Sequence, residues 1–245
     1  LKIKAIFFDL GNTLVTEDAF LKDEAAKIDQ KLLRSIGYET SLEDLKKAIK
    51  KTDKYLNSEF RGSSKVHEKG FFLFTVCGFL DLDVDRKTAK NLEGKFRKCH
   101  FDSFKLLPNS IEILEFLRDD DYKLAIISNG TIEGVNKIVD DFDLRKYFDL
   151  IVISEDIGKE KSTTVPIKFA LEKLGLKPEE AIMIGDRVDE DILGAKRLDM
   201  ITARYNYGRW KDSNYSKEDI RPDFVINNLL ELKGILNELD EKNIG

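Results

Sequence analysis

The first residue able to do chemistry is Asp9, in the stretch Ile6–Leu14, "IFFDLGNTL". An apolar run ends there in a single carboxylate, and Gly11, two residues on, has no side chain to offer. Other polar groups stand at the ends of similar apolar runs. "YKLAIIS" ends in Ser128 and is followed by Asn129. "LIVIS" leads into "EDIGKEK", with Lys159 and Lys161, and "AIMIG" runs into "GDRVDED", with Asp186, Asp189, Glu190 and Asp191. Oxygen ligands without His or Cys suit a hard cation such as Mg²⁺, which also takes phosphate oxygens. A carboxylate beside such a cation stays ionised and can attack phosphorus. A lysine and a serine can hold the remaining phosphoryl oxygens and offset transition-state charge.

The composition narrows the alternatives. The only histidines are His67 and His100, and the only cysteines are Cys77 and Cys99. They form no zinc-type spacing, offer little to a Ser-His-Asp arrangement, and suit a reducing compartment. A net charge of −5 over 245 residues does not advertise nucleic acid or an anionic membrane as partner. The basic stretch Lys46–Lys54 is interrupted by apolar residues at helical spacing and reads as a solvated helix face. The most apolar window, Phe71–Leu80, falls well short of the roughly 20 residues of a membrane span and reads as a buried helix. The first apolar run is too short for a signal sequence and meets Asp9 at once. The expectation is a cytoplasmic protein, monomeric by default.

Elements must bring these side chains together. Ile3–Leu10, Tyr122–Ser128, Leu150–Ser154 and Ala181–Gly185 are apolar on successive residues, as strands buried on both faces are. "ITARYN" and "DFVIN" are further strands, and helical patterns fill the intervals. One of them, "VPIKFALEKLGL", has Pro166 in its first turn and Gly175 at its stop. The alternation predicts an α/β domain with a doubly wound parallel sheet. Residues 17–106 show helical periodicity almost throughout. They predict an all-helical insertion into a core made of residues 1–16 and 107–245, with a return point before Pro108. In open parallel sheets ligands bind beyond the carboxyl ends of the strands, where strand order reverses, which is where the polar residues above converge.

In these features the chain resembles the haloacid dehalogenase-like superfamily of hydrolases. "FFDLGNTL" is similar to its first motif, "IISNG" to its second, "GKEK" to the third and "IGDRVDEDILGAK" to the fourth, the most specific of them. The resemblance implies that Asp9 is a nucleophile forming an aspartyl-phosphate. Asp9, the carbonyl of Gly11 and Asp186 would hold Mg²⁺, with Asp191 as ligand or close neighbour. Ser128, Asn129 and Lys161 would bind the transferring group, and the insertion would be a helical cap that selects a small phosphorylated metabolite.

The sequence departs from that pattern at two places. Ser162 follows the lysine where the family usually has proline, and Lys159 competes for the role. Lys161 is preferred because it keeps the family's distance to "FALEKLG". Gly11 stands where phosphatases of the family usually carry a second Asp, the general acid. A water or a cap carboxylate, Glu17 or Asp18, is expected to stand in. The alternatives are a 2-haloacid dehalogenase using Asp9, and a related binding protein with weak catalysis. Thr13 is expected only to satisfy turn backbone, and Asp189 and Glu190 to be helix-start charges. Phe71, Phe72, Phe74 and Phe79 are expected in the cap core, and Arg61, Lys65 and His67 in a surface loop.

Overall fold

The computed structural model describes residues 2–17, 19–60, 68–208 and 220–241. The chain forms two compact units, one of Leu1–Thr16 with Leu106–Gly245, the other of Glu17–Lys105. It leaves the first along β2 (Val15–Glu17) and returns along β3 (Phe104–Leu106), and these two strands pair with each other. Strands of three residues carry too little pattern to be read from sequence.

The first unit is built on β1 (Ala5–Phe8), whose four residues are wholly buried. The other sheet strands are β4 (Lys123–Ser128), β5 (Leu150–Ile153), β6 (Ala181–Gly185), β7 (Ile201–Tyr205) and β8 (Phe224–Ile226). All pair in parallel, in the order β5-β4-β1-β6-β7-β8. The expected doubly wound sheet is therefore present. Consecutive apolar residues make it, because helices cover both faces and every side chain needs an apolar neighbour.

Chain order runs outward from β1 through β4 to β5, then crosses to β6 on the other side of β1. That crossing is the reversal of strand order, so a crevice is expected at the carboxyl ends of β1, β4 and β6. The helices are α5 (Ser110–Asp119), α6 (Ile132–Asp141), the short α7 (Ser154–Ile157), α8 (Val165–Leu174), α9 (Leu193–Lys196) and α10 (Glu231–Glu241). Thr131 caps α6 by accepting the Gly134 N–H at 3.1 Å. α8 has Pro166 in its first turn and ends on Gly175 at φ +65°.

The second unit packs α1 (Ala19–Ser35), α2 (Leu42–Glu59), α3 (Phe71–Phe79) and α4 (Arg86–Phe101). Its core includes Leu33, Leu45, Leu73, Val76 and Phe96, with Phe72 and Phe74 against it. Phe79 departs from expectation. It is 39% exposed, edge-on to Tyr55 at 5.9 Å, because it lies at the end of α3 beyond the buried stripe. Burial pushes the Cys77 thiol up to about 11, so it acts as a packing group. Arg61, Lys65, His67 and Asp18 lie outside the described residues, as do the side chains of Glu17, Cys99 and His100. Among the described residues no helix is long and apolar enough to cross a membrane.

Candidate active site

Register places the carboxylates. Phe8 pairs with Ile184 on one side and Ile126 on the other, and the Asp9 N–H donates to the Ile184 carbonyl at 2.8 Å. Asp9, Ser128 and Asp186 thus leave three adjacent strands at one sheet edge. Beyond Asp9 the chain turns tightly. Asn12 takes a left-handed φ of +57°, tolerable for Asn, and the Leu14 and Val15 N–H groups return to the Leu10 carbonyl. The turn brings the buried Thr13 hydroxyl to 3.2 Å from Asp9 Oδ2, to which it donates. Thr13 thus orients a carboxylate, where the sequence suggested only backbone satisfaction. A Cβ at Gly11 would meet no heavy atom of the described residues within 4 Å, so it would not be crowded by them.

After β6 the chain makes a wide π-helical turn, Val188–Ile192, before α9. Such turns shift side chains relative to an ordinary helix. Here Glu190, Asp191, Ile192 and Leu193 are all buried, which an ordinary surface helix would not allow. Asp191 folds back over the sheet edge. A Cβ on Gly185 would sit 2.2 Å from Asp191 Oδ2, so only glycine permits this approach. The Arg187 N–H donates to Asp191 Oδ2 at 3.0 Å. One oxygen from each of Asp9, Asp186 and Asp191 then lies within 4.8 Å of the others.

Lys161 enters from the 3-10 turn Lys161–Thr163 and is 2% exposed. Its Nζ donates to Asp9 Oδ1 and lies 2.5 Å from Asp191 Oδ1. Lys159 is exposed, so of the two candidates the fold brings Lys161 to the carboxylates. A Cβ on Gly194 would meet the Lys161 carbonyl at 2.2 Å, so that glycine lets α9 close on the lysine turn. Ser128 is buried at the end of β4. Asn129 bridges two loops, donating to Glu190 Oε2 at 2.7 Å and accepting the Lys161 main-chain N–H at 3.0 Å.

The electrostatics are those of a negatively charged cavity. Burial, then Asp9 and Asp191, push the Asp186 carboxyl up to about 8. Burial raises Asp191 to about 6, with Lys161 opposing the shift. Burial alone would lower Lys161, but Asp191 and Asp9 more than offset it and hold it above the usual lysine range. The Lys161 ammonium pairs with Asp9 and Asp191, and among the described residues the buried Asp186 Oδ2 has no hydrogen-bond partner. This donor set fits a divalent hard cation, which would supply the missing partner and keep all three acids ionised.

Sequence reading missed the inward Glu190, which is buried and lies 2.5 Å from Arg187 Nη1. Nothing local separates it from Asp189, which also pairs with Arg187, at 3.2 Å, but is less buried. Only the width of the turn does.

The chain is similar to known proteins over nearly all of its length. A glyceraldehyde 3-phosphate phosphatase from Methanopyrus kandleri is 31% identical over 97% of this chain and 98% of its own length. The protein of the same name from Methanocaldococcus jannaschii is 32% identical, with the same coverage. Among solved structures, the HAD-hydrolase YfnB from Bacillus subtilis, bound to magnesium, shares the fold, with a TM-score of 0.75 at 22% identity. The match covers 97% of this chain and 100% of that one. A family model described as haloacid dehalogenase-like hydrolase matches residues 6–204, from the strand before Asp9 to the strand beyond Asp191. With this match spanning both carboxylate loops and the lysine turn between them, the chain belongs to the haloacid dehalogenase-like hydrolases.

Proposed function

We propose that this hydrolase is a Mg²⁺-dependent phosphatase that cleaves a small phosphate monoester through an aspartyl-phosphate on Asp9. The observation that carries the reading is the meeting of Asp9, Asp186 and Asp191 within 4.8 Å beside one buried lysine. Asp9, Asp186 and Asp191, with the Gly11 carbonyl, would hold the cation. When bound, Mg²⁺ would neutralise the carboxylates and the phosphoryl oxygens they face.

The chain's own residues do the rest. Thr13 and Lys161 each fix one oxygen of Asp9, so the carboxylate waits in a single orientation. An Asp9 oxygen attacks phosphorus, and the bond from phosphorus to the ester oxygen breaks. Water then attacks the phosphorus of the aspartyl-phosphate and releases inorganic phosphate and Asp9. Lys161 offsets charge on the transferring group in both steps, and Ser128 binds its oxygens. Gly11 supplies no acid, so the leaving oxygen takes its proton from water, which favours esters whose leaving group is weakly basic. The relatives named as glyceraldehyde 3-phosphate phosphatases support a short-chain phosphate as the first natural candidate, and its strongly basic alkyl leaving oxygen makes it the ester on which the missing acid at Gly11 should tell most. A 2-haloacid dehalogenase would use Asp9 and Lys161 but would leave Asp186 without a role.

The test is p-nitrophenyl phosphate hydrolysis with and without Mg²⁺, in the wild type and in Asp9→Asn. The expected result is Mg²⁺-dependent turnover that Asp9→Asn abolishes. Halide release from a 2-haloacid, with no phosphate release, would replace this reading by the dehalogenase one. Silence in both assays from folded, Mg²⁺-saturated protein would leave a binding protein.

A further inference from the structure

Glu190 has no part in the proposed chemistry, yet it is 5% exposed and sits beside the site. A buried carboxylate is costly unless something holds it. Two groups do: Arg187 Nη1 at 2.5 Å from Oε1, and Asn129 Nδ2 at 2.7 Å from Oε2. The other end of the Asn129 carboxamide accepts the Lys161 main-chain N–H at 3.0 Å. A carboxamide has one accepting and one donating end, and a flip would set N–H against N–H and oxygen against carboxylate. Its orientation is therefore determined by its partners. The chain Arg187–Glu190–Asn129–Lys161 joins the loops after β6 and β4 to the lysine turn. On its other side the Lys161 carbonyl rests against Gly194. The backbone from which the Lys161 side chain reaches Asp9 and Asp191 is thus held on both sides.

We propose that Glu190 is a positioning residue for Lys161, acting through the Asn129 carboxamide. The kinetic part of this proposal rests on the phosphatase reading; the structural part does not. Glu190 pairs with Arg187 and accepts from Asn129, and neither contact is with a group that reacts in the proposed chemistry. Its effect is to fix where the lysine backbone starts, and hence where the ammonium ends. A neutral Gln keeps one oxygen that can accept from Asn129 but turns its amide N–H towards the Arg187 guanidinium, whereas Ala keeps neither contact.

The experiment uses the ¹⁵N-labelled full chain as wild type, Glu190→Gln and Glu190→Ala. Amide hydrogen exchange at Lys161 is compared with that of Ile6 and Phe7 in β1. Glu190→Ala is expected to speed exchange at Lys161 by about tenfold or more while β1 keeps its protection, the mark of local and not global opening. Glu190→Gln, which keeps the Asn129 contact but loses the Arg187 pair, is expected to fall between wild type and Glu190→Ala. With p-nitrophenyl phosphate and Mg²⁺, Glu190→Ala is expected to lower kcat by about 10²-fold, the scale of a small misplacement, with KM changed far less. In a Lys161→Ala background the same change is expected to cost nothing further. Unchanged Lys161 exchange in Glu190→Ala, equal acceleration at all amides, or losses that multiply in the double variant would each overturn the proposal. If the wild type releases no phosphate, the phosphatase reading falls, and the exchange data alone decide whether the link exists.

Discussion

At the scale of single residues, the site is a carboxylate held at both oxygens. Thr13 donates to Asp9 Oδ2 at 3.2 Å from a fully buried position. Valine has nearly the same shape without the hydroxyl. Hydrogen bonds to charged groups contribute about 1.5–3 kcal/mol, so Thr13→Val should lower kcat roughly tenfold or more with the fold retained. An unchanged kcat on p-nitrophenyl phosphate would return Thr13 to a purely structural role. Gly11 offers the opposite experiment. No heavy atom of the described residues lies within 4 Å of its absent Cβ and its φ is not left-handed, so they leave room for a side chain. Gly11→Asp should raise turnover of an alkyl phosphate, by at most the 10²–10⁴-fold typical of a general acid. It should do little for p-nitrophenyl phosphate, and equal gains on both esters would show that leaving-group protonation is not what Gly11 lacks.

At the scale of elements, two turns and two glycines assemble the site. The wide turn Val188–Ile192 carries Asp191 back over Gly185, and the turn Lys161–Thr163 closes onto Gly194. Gly185→Ala would force a methyl group against the Asp191 carboxylate. Overpacking of this kind costs about 1–3 kcal/mol, and the shift of Asp191 should also weaken Mg²⁺ binding. Thermal melts with and without Mg²⁺ would check both effects. A stable variant with the full Mg²⁺ response would mean that Asp191 can move without loss. The strand ends were legible in the sequence, because an apolar run stopping at Asp9, Ser128 or Gly185–Asp186 has one meaning in a buried parallel sheet. The paths of the turns were not. Asp189 and Glu190 look alike as neighbours at a helix start, and only the local widening of the helix buries one more deeply than the other.

At the scale of the whole molecule, the sheet order decides that a site exists at all. β1 lies between β4 and β6, so Asp9 meets residues more than 100 positions later in the chain. The result is a concentration of like charge that the fold must tolerate. Asp186→Asn removes one of three carboxylates lying within 4.8 Å of one another, so the metal-free variant should melt above the metal-free wild type. Mg²⁺ should raise the wild-type melting temperature by mass action and leave Asp186→Asn nearly unmoved. Equal shifts in both would place the cation elsewhere.

The sequence by itself determined the α/β class, the six strands of the parallel sheet, the helical patterns between residues 19 and 101 and the polar residues that stand at the sheet edge. These follow from short-range pattern, since burial on both faces of a strand and on one stripe of a helix is written in local spacing. Only the tertiary structure decided which of Lys159 and Lys161 reaches the carboxylates, that Thr13 orients Asp9, that Phe79 stays half exposed and that Glu190 turns inward. Each of these depends on contacts with residues distant in sequence or on the exact path of a turn. Such contacts exist only once the sheet has set the strand ends side by side.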